Sequence, residues 1–348
     1  MKKCFVAVSG GVDSATALLL LKEKGYHVEG VTMIPFGSEL VLNYKGEAES
    51  AKSLCESMGV AHHSVDLKDE FSSKVVADFV NAYANGETPN PCIVCNRYLK
   101  FGALADYAFD HGADEYATGH YVRVKQCGDR RVITRAADPE KDQSYMLWSL
   151  KSEQISRFIA PLGEMTKKEV RELASDFGLA VASKSDSQDI CFIPDGDYRA
   201  FLERIVGNTD KNGDFVLRDG TVLGRHLGQR CYTIGQRKGL GIAYKEPLYV
   251  IGRDMKKNLV ILGSNSDLNT AKFTVREASF SALDFPKQSI KCQTRIRYRA
   301  PFVESTLTPI GEGRILVETK DPVRAVTPGQ SAVFYDGETL LGGGIIEA

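Results

Sequence analysis

The chain reads SGGVDS at residues 9–14, directly after a short apolar run at residues 4–8 and at the start of a helix-like stretch. The two glycines permit a tight turn between a strand and a helix. In such a turn the backbone N–H groups face outward at a helix N-terminus, where they bind phosphate. The two serines add hydroxyl donors, and the Asp13 carboxylate is suited to a magnesium ion. The stretch therefore predicts a strand–loop–helix unit that binds a nucleotide.

Other phosphate-binding arrangements fit the sequence less well. Two glycines alone would equally fit an ordinary turn that opens a strand–helix unit, but the complete hexapeptide favours a nucleotide site. The motif G-x-x-x-x-G-K-[ST] is absent, and GQRKGLG at residues 235–241 lacks its Ser or Thr, so a γ-phosphate ATPase is disfavoured. The hexapeptide resembles the pyrophosphatase-type loop of enzymes that cleave ATP to AMP and pyrophosphate. That resemblance implies adenylation of an oxygen and leaves the substrate open.

Strand-like and helix-like stretches alternate through the first part of the chain. The strand-like runs are residues 4–8, 27–33, 60–65 and 115–118, and the helix-like ones are residues 14–24, 47–58, 71–84, 98–111 and 166–177. Alternation of this kind predicts an α/β fold, with a parallel sheet covered by helices. We expect a nucleotide-binding domain, similar to the adenine nucleotide alpha hydrolases, that ends near residue 200.

The sequence changes character after residue 207. Short β-rich runs are separated there by turn signals at residues 212–214 and 219–220. Later alternating runs predict a C-terminal antiparallel β-barrel, and they lie at residues 290–299, 314–318, 331–335 and 339–346. We therefore expect three domains: residues 1–200, a small β-rich central domain at 201–265, and the barrel at 266–348.

Charge and cysteine content limit the class of protein. The formal net charge is −1, so any nucleic-acid contact must come from local patches. No apolar run approaches the roughly 20 residues of a membrane span, and the basic start lacks the apolar region of a signal peptide. Eight scattered cysteines without a secretion signal indicate thiols in a reducing compartment. We expect a cytoplasmic protein without a membrane partner.

Two thiols lie three residues apart in TPNPCIVCN, at residues 88–96. The prolines favour a turn that carries Cys92 and Cys95 and leads into a helix near Tyr98, and thiols near a helix N-terminus have a lowered pKa and become nucleophiles. A zinc half-site is disfavoured because the sequence has no second CxxC or obvious His pair. A thioredoxin-like redox pair is disfavoured because the surrounding sequence is not of that type. Cys191, taken alone, is typical of a buried core cysteine.

Five further segments make a resemblance specific. They are TGHY at residues 118–121, KDQSY at 141–145, ICFI at 190–193, GQRKGLG at 235–241 and TPGQS at 327–331. All are similar to signature segments of bacterial tRNA-specific 2-thiouridylases, in that family's order and over nearly the entire chain. The resemblance implies an ATP-dependent tRNA sulfurtransferase, which adenylates the C2 oxygen of the wobble uridine and replaces it by sulfur. Its products would be 2-thiouridine, AMP and pyrophosphate.

The resemblance also implies roles for individual residues. Cys95 would be the catalytic nucleophile and Cys191 would hold the incoming sulfur as a persulfide, and the two could close a disulfide once the sulfur has left. The implied ATP contacts are Ala7, Val8, Ser9, Gly10, Gly11, Val12, Asp13, Ser14, Met33 and Gly119. The implied tRNA contacts are Asn90, Pro91 and Cys92 beside the target base, together with His120, Lys141, Asp142, Gln143, Arg297, Tyr298 and Gln330.

The implied partners are the anticodon loop of a tRNA, contacted also by the two C-terminal domains, and a persulfide donor such as a cysteine desulfurase or a sulfur relay carrier. The chemistry agrees with these partners. A uracil C2 carbonyl has a poor leaving oxygen, but an adenylated oxygen leaves as AMP, and persulfide sulfur is a strong nucleophile at neutral pH. Flipping out a loop base costs little because it is already unpaired.

Two features depart from the family's pattern. Many members have Asp at the position of Cys92, where it is thought to act as an acid or base beside the uracil, so that role is vacant or passes to another group here. Residues 35–46 form a shorter and less acidic segment than in the best-known members. Cys92, Cys95 and Cys191 also leave open a second mechanism, in which three thiolates hold an iron–sulfur cluster whose open iron binds the sulfur.

Residues 272–299 contain seven basic and two acidic residues, with Tyr298 among them. The pattern favours a face that follows RNA phosphates, although a solvated barrel face fits it too.

Two other classes of protein stay open. A different pyrophosphatase-loop ligase would use ammonia or an amine and would need neither Cys95 nor Cys191, and a non-catalytic tRNA-binding protein would release no AMP.

Overall fold

The computed structural model describes residues 1–37, 40–41, 47–179, 181, 190–207 and 211–347. Its strands are β1 (Lys3–Ala7), β2 (His27–Ile34), β3 (Ala61–Asp66), β4 (Glu115–Thr118), β5 (Val122–Cys127), β6 (Arg130–Arg135), β7 (Phe158–Ile159), β8 (Gly213–Leu217), β9 (Val222–His226), β10 (Tyr249–Asp254), β11 (Leu259–Gly263), β12 (Asn269–Phe280), β13 (Ile290–Arg295), β14 (Val303–Gly311), β15 (Arg314–Arg324), β16 (Ser331–Asp336) and β17 (Thr339–Ile346).

The helices follow the same order along the chain. They are α1 (Val12–Glu23), α2 (Glu47–Ser57), α3 (Lys68–Glu70), α4 (Ala77–Ala84), α5 (Pro91–Cys95), α6 (Leu104–Asp110), α7 (Ser152–Ser156), α8 (Lys167–Asp176) and α9 (Tyr198–Val206). Two π-helical segments, Phe71–Val76 and Asn96–Ala103, connect α3 to α4 and α5 to α6. In the ranges described, no helix combines the length and the apolar character needed to cross a membrane. The short segment noted at residues 35–46 lies largely outside the described residues.

The first sheet confirms the predicted α/β arrangement. Its five strands run parallel in the order β3-β2-β1-β4-β7. Neighbouring residues of β1 point into different cores: Phe5 packs with Phe71 and Leu99 on one face, and Val6 packs with Leu18 of α1 on the other. Because helices cover both faces, the central strand β1 buries its three middle side chains, whereas the edge strand β3 keeps all of its residues at least partly exposed.

A second sheet forms from the described residues after Gly207. Its four strands have the order β10-β11-β8-β9, with β8 and β11 parallel and the outer pairs antiparallel. Phe215, Val250, Val260 and Leu262 are fully buried in its small core. The β-rich middle region predicted from the turn signals is therefore confirmed.

The third sheet closes into the predicted antiparallel barrel. The order β12-β15-β14-β13-β16-β17 returns to its start through a direct pairing of β12 with β17. The hairpin β5–β6, which the chain forms between two strands of the parallel sheet, joins this barrel where Thr134 pairs with Thr339. No strand was predicted for the hairpin. It makes the barrel and the nucleotide-binding part share one continuous sheet.

Buried hydrogen bonds strengthen this junction. The Trp148 indole N–H donates to the Ser331 hydroxyl at 2.9 Å, and the Tyr145 hydroxyl donates to the Ser331 carbonyl at 2.9 Å. Both aromatic side chains are almost completely buried. Because unpaired polar groups are costly in such surroundings, these bonds hold the barrel in one orientation against the nucleotide-binding part.

Candidate nucleotide and thiol site

The segment at residues 9–14 joins β1 to α1 as predicted, although the helix begins at Val12 and not near Ser14, so that residues 12–14 already form its first turn. Gly10 has a φ of +69°, a left-handed conformation that favours glycine, and α1 begins directly after its N-cap, Gly11. The Ser14 hydroxyl accepts a hydrogen bond from the Ser9 N–H at 3.1 Å and donates to the Gly11 carbonyl at 3.1 Å. One of the loop's own side chains therefore holds it in a closed turn at the start of α1.

A cavity of about 220 Å³ lies at the carboxyl ends of β1, β2 and β4. This edge of a parallel sheet is where α/β proteins bind their ligands. The predicted ATP contacts that line it are Ala7, Val8, Ser9, Asp13, Ser14, Met33 and Gly119. Gly10, Gly11 and Val12 belong to the same segment but are not among the residues that line the cavity.

Gly119 allows the end of β4 to approach the loop closely. A Cβ atom at this position would lie 2.8 Å from the backbone nitrogen of Ser14 and 2.9 Å from the carbonyl carbon of Asp13. Both distances are far inside van der Waals contact, so any side chain would push the loop away from the strand. The shape of the cavity therefore depends on glycine here.

Two side chains that the sequence did not single out hold Asp13. The Lys167 ammonium lies 2.8 Å from each carboxylate oxygen, and the Tyr121 hydroxyl donates to Oδ1 at 2.7 Å. Lys167 is the first residue of α8, whose N-cap Thr166 forms a capping box with Glu169. The T-x-x-E pattern is a sequence signal for the start of α8, but it says nothing about Asp13, which is 154 residues away.

The residues around Asp13 fit a magnesium ion that arrives with a nucleotide. Within the described ranges, no group of three or more Asp, Glu, His or Cys side chains is placed to hold a metal ion. Mg²⁺ often takes only one or two carboxylates and completes its shell with phosphate oxygens and water. One carboxylate beside a phosphate loop meets that requirement when the metal ion shares the Asp13 oxygens with Lys167 and Tyr121, whereas a resident metal centre would need more ligands.

The paired thiols lie inside a helix, whereas the sequence placed them on a turn before one. The helix begins at Pro91 and not near Tyr98, because proline suits the first helical position, where its missing N–H needs no partner. Cys92 and Cys95 both belong to α5, and the π-helical segment Asn96–Ala103 continues the chain toward α6. The thiols and the residues after them therefore share one connected helical element.

Burial keeps both thiols of α5 protonated. Desolvation raises the pKa of Cys92 and of Cys95, and the charge of Lys100 lowers both values by less. Cys95 is 7% exposed, and Cys92 keeps an exposed surface although neighbouring groups desolvate its sulfur. The lowered thiol pKa predicted from the helix N-terminus is therefore wrong for this structure, since desolvation outweighs the helix dipole and the neighbouring cation.

Lys100 links the thiols to the nucleotide cavity, although the sequence gave no sign of it. Its side chain lines the cavity, and its charge acts on Cys92, Cys95 and His120. Burial and, secondarily, Lys100 lower the pKa of His120 to about 3, and the Thr118 hydroxyl lies 2.7 Å from the imidazole Nδ1. His120 is therefore a neutral hydrogen-bonding group at physiological pH and not a counter-charge for phosphate.

Cys191 lies on an exposed turn, although its sequence context alone suggested a buried cysteine. The next residue, Phe192, is 1% exposed and packs edge-on against Phe71 at 5.4 Å between ring centroids. Phe192 belongs to the same core cluster as Cys95. The turn is therefore anchored to the core around α5, while residues 182–189, directly before it, lie outside the described part.

Asp142 and Gln143, two of the predicted tRNA contacts, bond within the protein. Asp142 is 2% exposed and accepts hydrogen bonds from the N–H groups of Ala136 at 3.1 Å and Ser144 at 3.2 Å. The Gln143 side-chain oxygen accepts from the Tyr121 N–H at 2.9 Å, and the residue also lines the nucleotide cavity. These bonds fix the backbone of the KDQSY segment next to the cavity.

Tyr298 lies among cations from two parts of the chain. Burial and then the charge of Asp142 raise the pKa of Tyr298, and the charges of Arg295, Lys141 and Arg299 lower it by less. The half-buried Tyr298 ring is 6.0 Å from the guanidinium of Arg295. The structure therefore brings Lys141 together with Tyr298, as an aromatic and basic surface for RNA requires.

Arg297 and Gln330 hold loops of the barrel in place. The Arg297 guanidinium donates to the carbonyl of Ala325 at 2.7 Å and to the hydroxyl of Thr327 at 2.6 Å. The Gln330 amide donates at 2.9 Å to the carbonyl of Thr88, in the segment before α5. Gln330 thus ties the barrel to the chain that leads into the thiol helix.

Three family models match the chain in succession. The tRNA methyl transferase HUP domain matches residues 2–195, which are more than half of the chain. The tRNA methyl transferase PRC-barrel domain matches residues 199–264, and the aminomethyltransferase beta-barrel domain matches residues 270–346. The three matches follow the order of the three sheets.

Curated relatives match over nearly the whole length. The tRNA-specific 2-thiouridylase MnmA 1 of Caldanaerobacter subterraneus is 44% identical over 98% of this chain and 97% of its own. The tRNA-specific 2-thiouridylase MnmA of Syntrophotalea carbinolica is 44% identical over 99% and 98%. A solved 4-thiouridine synthetase–RNA complex with bound ATP has a TM-score of 0.38 and 18% identity, covering 58% of this chain and 50% of that one. The chain therefore belongs to the tRNA-specific 2-thiouridylase family that its sequence segments predicted.

Proposed function

We propose that this protein is an ATP-dependent tRNA sulfurtransferase that converts the wobble uridine to 2-thiouridine and releases AMP and pyrophosphate. The observation that carries the proposal is the position of Lys100. This cation lines the nucleotide cavity and acts on the thiols of Cys92 and Cys95. A nucleotide and a thiol that share one cation can act on the same base, because catalysis requires reacting groups to lie within a few ångströms of each other.

The first half-reaction is adenylation of the uracil. The C2 oxygen attacks the α-phosphorus of ATP, the bond to the β-phosphate bridging oxygen breaks, and pyrophosphate leaves with the electron pair. The N–H groups at the start of α1 and the Lys167 ammonium stabilise negative charge on the departing pyrophosphate. A magnesium ion held by Asp13 and the phosphates would supply further charge stabilisation.

The second half-reaction transfers sulfur. The terminal persulfide sulfur on Cys191 attacks C2, and AMP leaves with the electrons of the C2–O bond. The Cys95 sulfur then attacks the Cys191 sulfur as the S–S bond breaks, and the Cys95 proton passes to the released base, which forms a disulfide between the two cysteines and frees 2-thiouridine. An external thiol reductant restores both thiols, and a protein donor such as a cysteine desulfurase or a sulfur relay carrier reloads Cys191. The exposed turn at Cys191 supports delivery by a protein, because a donor can reach the sulfur there.

An iron–sulfur mechanism fits the described residues less well. Its three thiolate ligands would be Cys92, Cys95 and Cys191, whereas the persulfide route needs only Cys95 and Cys191 to account for the chemistry. We propose instead that Cys92 borders the target base together with Asn90 and Pro91. We propose that Lys100 takes the acid–base role that Asp fills in many members, because its charge acts on the Cys92 sulfur.

We also propose how the tRNA is held. The three parts of the chain, residues 1–200, 201–265 and 266–348, place the anticodon loop over α5, with Lys141 and Tyr298 in direct contact. Asp142, Arg297 and Gln330 act by positioning, because their polar groups already bond within the protein. We propose a cytoplasmic location, because the tRNA substrates are found there.

The experiment that tests the proposal combines purified protein, ATP, a persulfide donor and a tRNA with an unmodified wobble uridine. AMP release should depend on the tRNA, and mass spectrometry should find one sulfur in place of one oxygen in the wobble nucleoside. Release of AMP with an amine incorporated, or transfer of a methyl group without AMP, would contradict the proposed function.

A further inference from the structure

A second cleft, of about 330 Å³, lies on the face of α5 that points away from its thiols. With 3.6 residues per turn, Cys92 and Cys95 share one face of the helix and Ile93 and Val94 turn toward the other. Residues of α4, β12 and β17 supply the remaining walls. The cleft therefore exists only where the barrel meets the nucleotide-binding part.

Polar groups in this cleft lack partners. Ser149 is 2% exposed and lines the cleft, and its hydroxyl has no hydrogen-bond partner among the described residues. Arg276 donates through Nη2 to Glu87 at 2.8 Å, whereas its buried Nη1 has no hydrogen-bond acceptor in the same ranges and only a longer ion pair, at 4.0 Å, with Glu277. Buried polar groups rarely stay unpaired, so these atoms indicate a ligand with hydrogen-bonding groups.

The barrel wall of the cleft has an unusual backbone. Glu277 has a φ of +52°, and the pairing of β12 with β17 shifts register between Arg276 and Ser279. A bulge of this kind re-aims side chains, and Arg276 and Glu277 both line the cleft. Left-handed backbone at a residue with a side chain is more frequent at binding sites than elsewhere.

An exposed aromatic ring between two cations borders the cleft. Tyr98 is 43% exposed, and its ring centroid is 5.1 Å from the Arg97 guanidinium and 5.8 Å from the Lys74 ammonium. All three residues line the cleft. Proteins stack unpaired nucleobases on rings of this kind and hold the adjoining phosphates with the neighbouring cations.

The interior suits the edge of a base and not a phosphate. Acidic and basic side chains are equally represented in the lining, as Asp78, Glu87, Glu277, Lys74, Arg97 and Arg276. Desolvation and then the charge of Glu277 raise the pKa of Asp78. The carboxylates would repel a phosphate placed beside them, so a phosphate is favoured only next to Lys74 and Arg97, whereas the N–H groups of a nucleobase edge can donate to the carboxylates.

Asn90 connects this cleft with the proposed position of the target base. It lines the cleft and is the N-cap of α5, directly before Pro91 and Cys92. Its side-chain amide donates weakly, at 3.6 Å, to the sulfur of Met146. A strand of RNA that places one base beside Cys92 can therefore pass over the N-terminus of α5 and place the adjoining base in the cleft.

We infer, on the basis of the proposed tRNA thiolation, that this cleft binds a second unpaired nucleotide of the substrate RNA, adjacent to the target uridine. Its base lies against Asp78 and Ser149 and stacks on Tyr98, and its phosphate lies between Lys74 and Arg97.

The test uses the full protein and tRNAs in which each nucleotide next to the wobble uridine is made abasic in turn. Dissociation constants and kcat/KM are measured for the wild type, Tyr98→Ala and Asp78→Asn. The matched control is Phe177→Ala, which removes a 49% exposed aromatic ring of the same part of the chain that does not line the cleft. Loss of one stacked base should weaken binding about tenfold, within the range of measured stacking contributions.

One abasic tRNA should bind the wild type and Phe177→Ala about tenfold more weakly than intact tRNA does. Tyr98→Ala should bind this abasic tRNA as tightly as it binds intact tRNA. The substitution has already removed the ring on which the base stacks, so removing the base costs no further stacking energy. The inference would be overturned if Tyr98→Ala bound intact tRNA as tightly as the wild type does. It would also be overturned if, for every abasic tRNA, the loss of the base and the Tyr98→Ala substitution weakened binding independently. If the wild type binds tRNA but forms no 2-thiouridine, the proposed function is wrong. The dissociation constants still test whether the cleft binds a nucleotide.

Discussion

The Lys167 ammonium lies 2.8 Å from both carboxylate oxygens of Asp13, although the two residues are 154 positions apart in the chain. The pair joins the first residue of α8 to the first turn of α1, and the Lys167 side chain is only 11% exposed. Such a cation beside a phosphate-binding loop is desolvated and already oriented, which strengthens its interaction with an incoming anion.

Replacing Lys167 by alanine should reduce tRNA-dependent AMP formation by roughly 100-fold, the effect typical of removing one preorganised charge-stabilising donor. AMP release at saturating tRNA measures the effect, and Lys167→Arg should recover part of the rate. Lys168→Ala is the matched control, because that neighbouring side chain is 84% exposed and pairs with Glu172 on the helix surface. Equal rates for Lys167→Ala and Lys168→Ala would show that the ion pair is only structural.

Asp13→Ala should abolish AMP formation while the dissociation constant for tRNA stays within about twofold, because Asp13 acts on the phosphates and their metal and not on RNA. Filter binding and AMP release on the same preparation provide both measurements. Unchanged AMP release in this variant would contradict the assignment of the loop at residues 9–14.

Gly119→Ala should weaken ATP binding at least tenfold, since the added methyl group would lie 2.8 Å from the Ser14 nitrogen and displace the loop. Gly252→Ala serves as the control, because the nearest atom to its added methyl group would be 3.4 Å away. Equilibrium binding of labelled ATP should distinguish the two variants. The prediction fails if Gly119→Ala binds ATP like the wild type.

Cys95→Ser and Cys191→Ser should each eliminate 2-thiouridine, because a serine hydroxyl can neither carry a persulfide nor attack as a thiolate. Mass spectrometry of the loaded protein should show loss of the persulfide only in Cys191→Ser. Cys92→Ser should keep substantial activity by the persulfide route. Iron-dependent turnover that disappears in Cys92→Ser would favour the cluster mechanism instead.

Lys100→Met should move the rising limb of the pH–rate profile to higher pH. Lys100 lowers the pKa of Cys95, so its removal raises that pKa, and each unit of increase leaves about tenfold less thiolate at a given pH below it. Single-turnover sulfur transfer between pH 6 and 9 would measure the shift, and Lys100→Arg should retain the wild-type profile. A Lys100→Met profile that falls in rate without shifting along the pH axis would refute this role for the charge.

The sequence predicted elements whose signals are local. The alternation of apolar runs and helical stretches determines the parallel sheet, and the SGGVDS loop lies between β1 and α1 as expected. The start of α5 was predicted too late because Pro91 was interpreted as part of a turn, although proline is common at the first position of a helix.

Features that depend on distant contacts could not be predicted in the same way. No local signal reveals that Lys167 meets Asp13 or that Lys100 reaches the nucleotide cavity, because both contacts depend on the tertiary fold. The thiol pKa values were predicted in the wrong direction for the same reason: the helix N-terminus is visible in the sequence, but the burial of Cys95 is not.

The hairpin β5–β6 has a consequence for how the chain is made. Its barrel partner β17 follows β6 by about 200 residues, so at 5–20 residues per second a ribosome would need about ten to forty seconds to supply it. Until then the outer edge of β6 stays open to pairing with another nascent chain. Release of a prematurely terminated chain before β17 should therefore yield an aggregation-prone fragment and not a partly active enzyme.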